Sequence, residues 1–87
     1  MSFGITVQNN SDVNILAQAT WGYSPITAKE IDIGKTGTLT ENMGWVWYDL
    51  TIRNAKTTGA LIRKNGVYAS SSWKFLGEAG QYRLEAN

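Results

Sequence analysis

Apolar residues recur at every second position along most of this 87-residue chain, and clusters of Gly, Asn, Asp and Ser cut the alternation into short runs. Successive side chains of a strand point to opposite faces, so such runs read as half-buried strands. No segment carries the wider-spaced apolar stripe of an amphipathic helix. Ile5-Thr6-Val7-Gln8 opens the pattern and meets a turn cluster at Asn9-Asn10-Ser11-Asp12. Val13, Ile15, Ala17, Ala19, Trp21 and Tyr23 then hold one phase until Ser24-Pro25, where a strand should break. Residues 27–33 put Ile31 and Ile33 on one face, and 34–37 form a turn before a short strand at Thr38-Leu39-Thr40.

The second half follows the same plan. Residues 45–53 read as a strand and 54–59 as a turn region. Residues 60–64 and 67–69 flank Asn65-Gly66, the strongest hairpin signal in the chain. Residues 72–76 point Trp73 and Phe75 inward, 77–80 turn, and 81–85 point Tyr82 and Leu84 inward. Seven to eight short strands with turns at this spacing predict an all-β fold, a small antiparallel β-sandwich or barrel in one domain spanning 1–87. Short connections argue for antiparallel pairing. Ile5-Thr6-Val7-Gln8-Asn9 also matches Leu50-Thr51-Ile52-Arg53-Asn54 in type at each position, as two repeated four-strand units (1–43 and 44–87) would. Chance similarity between two strands of like composition explains the echo equally well.

A chain this short has little core to spare, and with no cysteine it has no disulfide to supplement it. Some of its four Trp, four Tyr and two Phe must therefore be structural. Histidine is also missing, which removes the commonest general base and metal ligand along with the thiol nucleophile. A non-enzymatic protein without metal or cofactor is the expectation. The net charge of +1 argues against nucleic acid as a partner, although residues 44–87 are the more basic half. Met1-Ser2-Phe3-Gly4 runs straight into a strand with no leader pattern, so a cytoplasmic protein, or one released by a leaderless route, is expected.

The strand at 45–53 breaks the rule that one face is apolar and the other polar. Val46, Tyr48, Leu50 and Ile52 share one face, while Trp45, Trp47, Asp49, Thr51 and Arg53 share the other. Two indoles beside an acid and a guanidinium suit a ligand wall with a few convergent polar groups. A face covered by a loop, a barrel or another subunit accounts for the same residues. Trp45, Trp47, Asp49 and Arg53 are the first candidates for ligand contact, and Trp21 and Tyr23, at a strand end beside a loop, are the second. Core packing is the competing role for Trp21 and Tyr23. Arg63-Lys64, with Lys56, Lys74 and Arg83, reads as a solvated cationic hairpin tip.

The run Val7-Gln8-Asn9-Asn10-Ser11-Asp12-Val13-Asn14-Ile15, followed by Thr20-Trp21-Gly22, resembles the opening of the aegerolysins, small fungal and bacterial β-sandwich proteins. The resemblance covers roughly the first quarter of the chain, which is shorter than those proteins and cysteine-free. It implies a leaderless sandwich that recognises lipids or glycoconjugates at cell surfaces, and it assigns no binding residues. A lectin-like carbohydrate-binding module acting as a homo-oligomer is the leading expectation. The alternatives are a membrane-lipid-binding or cytolytic sandwich and a protein–protein interaction module.

Overall fold

The computed structural model describes residues 3–87; Met1 and Ser2, which enter the expectation of a start without a leader pattern, lie outside the described residues. Eight strands form: β1 (Ile5–Ser11), β2 (Ile15–Trp21), β3 (Ser24–Ile31), β4 (Thr36–Leu39), β5 (Trp47–Asn54), β6 (Ala60–Tyr68), β7 (Ser72–Glu78) and β8 (Gln81–Ala86). They make two four-stranded sheets, β4-β1-β7-β8 and β3-β2-β5-β6. The sheets pack face to face as a sandwich, not a closed barrel. Ile5, Val7, Leu39 and Phe75 from one sheet meet Ile15, Ala17, Ala19, Ile31, Leu50, Ile52 and Val67 from the other, all of them buried. The alternation predicted from sequence is thus realised in β1 and β2, whereas β5 buries Thr51 along with Leu50 and Ile52.

Several expectations need correction. Five of the six strand pairings are antiparallel, but β1 and β7 run parallel, with Val7 opposite Trp73 and Asn9 opposite Phe75. Connection length predicts orientation only for strands that are neighbours in sequence, and these two are far apart. Asn9-Asn10-Ser11 is not a turn but the end of β1, held in the sheet by β7. Pro25 lies inside β3 rather than ending a strand, which an edge strand tolerates because a ring nitrogen costs it no needed donor. Ile33 is exposed, in the loop beyond the end of β3.

Asn65-Gly66 is not a hairpin either. Strand β6 runs through it, and Asn65 and Gly66 together oppose the single residue Asp49, between the pairs Tyr48↔Val67 and Leu50↔Lys64. This is a β-bulge, and Gly66 takes the left-handed φ of 70° that such a bulge reserves for glycine. The same dipeptide that favours a tight turn serves a bulge, because both need a positive φ. The cationic tip dissolves as a result. Arg63 pairs with Asp49, and Lys64 Nζ reaches across to the other sheet, 5.4 Å from the Trp73 ring centroid.

One end of the sandwich is tied by polar side chains. The chain passes between the sheets there at residues 12–14 and again at 32–35. Fully buried Asn9 holds both passages. Its Nδ2 donates to the Val13 and Ile31 carbonyls at 2.8 and 3.0 Å, and its Oδ1 accepts from the Ser11 N–H and hydroxyl. Its backbone accepts from Gly34 N–H and donates to Lys35 O. The Asn-x-Ser sequence at Asn9 is therefore a buried structural bracket. Nearby, Asp12 accepts from the Ala79 N–H at 3.1 Å and the Tyr82 hydroxyl at 2.8 Å, which fastens the β7–β8 turn. Those two bonds, the Ala79 N–H first, hold the Asp12 carboxyl below its ordinary pKa, and the same carboxylate raises that of Tyr82.

Two outcomes follow. Asn9→Ala strands buried carbonyls and an amide, and should lower the unfolding free energy by about 3 kcal/mol in urea titration with an unchanged m-value. Asp12, with its pKa depressed on folding, stabilises the fold above the unfolded carboxyl value of about 3.9 and loses that contribution as pH falls through the folded value. The melting-temperature gap between the wild type and Asp12→Asn should therefore be full near neutrality and close in strong acid.

Candidate functional site

The opposite end of the sandwich is built differently. The β2–β3 turn, the passage at 40–46 and the passage at 69–71 meet there, and beside exposed polar residues such as Glu41 and Asn42 they present the exposed rings of Trp21, Tyr23 and Trp45. Trp21 closes β2, one step beyond Ala19, the last buried residue of that strand, and is 55% exposed because the core has run out beneath it. Gly22, at φ 62°, takes the first central position of the turn, where a II′ hairpin wants glycine. Tyr23 follows and is wholly exposed. Neither Trp21 nor Tyr23 is core, although both keep the phase of Ile15.

Trp45 and Trp47 do not stand side by side on one strand face. Strand β5 begins at Trp47, and Trp45 and the exposed Val46 lie in the bend before it. The bend is tethered from below, since the buried Tyr48 accepts the Trp45 N–H on its hydroxyl at 2.8 Å and Val46 O accepts from Ala69 N–H. Each indole then finds a different neighbour. Trp45, 55% exposed, stands edge-on to Trp21 with centroids 6.4 Å apart. Trp47, 52% exposed, tilts against its cross-strand partner Tyr68 at 5.5 Å. Tyr68 gains its place from the bulge at Asn65-Gly66, so reading that dipeptide as a turn hid the partnership.

Trp21 stands between two shallow clefts. On one side, Trp21 and Trp47 wall a cleft of about 220 Å³, with Thr20, Tyr48, Asp49 and Gly66 completing it. On the other, Trp21 and Trp45 wall an apolar cleft of about 450 Å³ with Ile26, Asn42, Gly44 and Tyr48. The Thr20 hydroxyl, buried at the first cleft, makes no hydrogen bond among the described residues. Among the described residues, Asp49 is the one carboxylate lining either cleft. Its oxygens are also engaged: Oδ2 accepts from Arg63 Nη2 at 3.1 Å and Oδ1 from the Gly66 N–H at 3.3 Å, so it braces the bulge as well as lining the cleft.

Arg53 is not part of this group. It lies four residues along β5, about 13 Å at the rise of a strand. There its Nε donates to Gln18 Oε1 and its Nη1 to the Thr58 carbonyl, which holds the β5–β6 connection. Thr51 between them is buried, so no open face joins Asp49 to Arg53. Of the six residues proposed from sequence, Trp21, Tyr23, Trp45, Trp47 and Asp49 fall at one end and Arg53 falls elsewhere. No protein-family model and no curated protein matches the chain.

Exposure and burial separate Trp47 from its neighbour Tyr48. Trp47→Ala should cost about 1 kcal/mol, the worth of its ring pair with Tyr68. Tyr48→Ala should cost about 3–5 kcal/mol by emptying the core and releasing the 40–46 bend. Thermal melts of the two variants check the contrast.

Proposed function

We propose that this protein is a non-catalytic, lectin-like carbohydrate-binding module whose ligand lies against the aromatic end of the sandwich. Trp21, as the wall common to two adjacent clefts, is the observation that carries the reading. Half-exposed indoles offer flat apolar surfaces of the size of a sugar ring's apolar face. Asn42 and Asp49 add hydrogen-bonding groups beside them. Two clefts sharing one wall suit two consecutive residues of an oligosaccharide. Trp47 and Trp45 bound the two subsites, and the exposed Tyr23 follows Trp21 by two residues, in the turn.

A membrane surface is the competing ligand, since exposed Trp and Tyr also settle at lipid headgroups. Among the described residues no lysine or arginine lines either cleft, and the neighbouring Arg63 is paired with Asp49, which weakens the case for the anionic-lipid attraction that usually accompanies such rings. The polar groups beside the indoles favour a hydroxyl-rich ligand over an acyl chain.

Glycan-array screening followed by tryptophan-fluorescence titration tests the proposal. Trp21→Ala should weaken a responding oligosaccharide by about thirtyfold or more, since it removes a wall from both subsites. Trp47→Ala should cost less, and both variants should keep the wild-type circular dichroism. Sedimentation with sugar-free liposomes, combined with a silent array, would transfer the site to lipid.

A further inference from the structure

A two-sheet sandwich has four edge strands, here β4 and β8 in one sheet and β3 and β6 in the other. Open edges invite pairing with other chains, and proteins usually blunt them. Three of these edges are blunted. β3 carries Pro25 and a register shift against β2, β4 has only four residues, and β6 is broken by two irregularities against β5. β8 has none of these devices. Its six residues pair with β7 in unbroken register and contain neither proline nor glycine.

The phase of β8 is set by the bond from Asn87 N–H to Ser72 O. Hydrogen-bonded pairs alternate along an antiparallel ladder, so Gln81, Arg83 and Glu85 turn their backbone groups to β7. Tyr82, Leu84 and Ala86 turn theirs to the open edge. On the outer face the same strand sets a cation and an anion two residues apart, both exposed, with Arg83 Nε 2.6 Å from Glu85 Oε2. That spacing is self-complementary in one arrangement. If two copies of β8 pair antiparallel about a two-fold axis at Leu84, the outward backbone groups of Leu84 bond to those of the other copy's Leu84, and Tyr82 meets the other copy's Ala86. Arg83 then falls opposite the second copy's Glu85, twice over, at the non-hydrogen-bonded positions where facing side chains come closest.

The geometry points to β8 as a homodimer interface that takes a second copy of this chain by antiparallel strand addition. The two sheets join into one of eight strands, β4-β1-β7-β8 continuing into its two-fold mate. The two-fold axis of such a pair is perpendicular to the sheet, and the aromatic end lies toward the C-terminal end of β8, beside the start of β7. The two aromatic ends therefore face away from each other. On the carbohydrate reading above, the dimer bridges two glycan-bearing surfaces rather than gripping one.

Sedimentation equilibrium tests the interface without any glycan, so failure of the carbohydrate proposal leaves its result intact. The wild type should approach twice the 9.6 kDa chain mass with rising concentration. Arg83→Glu sets like charges opposite each other at both symmetric positions and should weaken the dimer by about tenfold or more. Arg83→Glu combined with Glu85→Arg restores opposite charges at both positions and should recover it. Three outcomes overturn the interface: a wild type that stays monomeric to about millimolar concentration, a dimer indifferent to Arg83→Glu, or a swap variant that stays monomeric. The swap also decides the matter if Arg83→Glu alone fails to fold.

Discussion

Six hydrogen bonds made by Asn9 join the two passages that carry the first half of the chain between the sheets. The alternating strands would bury their apolar faces in several arrangements, and burial alone does not say where each strand must cross. A buried amide does, because each of its donors and acceptors costs free energy unless a partner sits at the right distance and angle. Val13 O lies on the segment entering β2 and Ile31 O at the end of β3, and Asn9 reaches both from the other sheet. Asn14 adds a second tie, its Oδ1 accepting from the Ile33 N–H. β1, which carries this bracket, also makes the one parallel pairing among the described strands, with β7.

With one end closed in this way, the other end has more local polar ties, such as Ser71 Oγ donating to the Tyr68 carbonyl, and carries the exposed indoles. The two ends illustrate different uses of side chains in a small sandwich. Asn9, Ser11 and Asp12 satisfy backbone groups where the chain crosses between sheets. At the aromatic end the Tyr48 hydroxyl and the Ala69–Val46 backbone bond secure the bend, and the half-exposed rings meet one another in pairs, Trp21 edge-on to Trp45 and Trp47 tilted against Tyr68. A core of Ile, Val, Leu and Ala, filled out by Phe75 stacked on Tyr82, suffices without them. The tryptophans are therefore available for recognition, which the scarcity of buried area in so short a chain did not promise.

Much of the framework was legible because its signals are local. Period-two patterning located Ile15, Ala17 and Ala19, Leu50 and Ile52, and Phe75, and turn chemistry located the connections at 55–59 and 79–80. The failures share a cause. Asn65-Gly66 encodes a positive φ, and whether that φ makes a turn or a bulge depends on whether a neighbouring strand continues past it, as β5 does. Asn9-Asn10-Ser11 encodes a preference for turns, and β7 overrides it by supplying partners for those backbone groups. Both decisions rest with a strand distant in sequence.

The same division runs through the site. The sequence by itself determined that the chain is all-β, that its chemistry excludes histidine and cysteine, and that Trp45 and Trp47 do not fit a half-buried strand with one polar face. Alternation and composition are properties of neighbouring residues, and they survive any choice of topology. Only the tertiary structure decided that Trp45 leaves the strand, that Trp21 rather than either partner stands at the centre of the aromatic end, and that Arg53 lies apart from it. Those facts depend on where strands end against one another, and strand ends are set by where the shared core stops. Even the unpaired edge at β8 belongs to this second class, since its open backbone groups exist only once β7 has taken the other side.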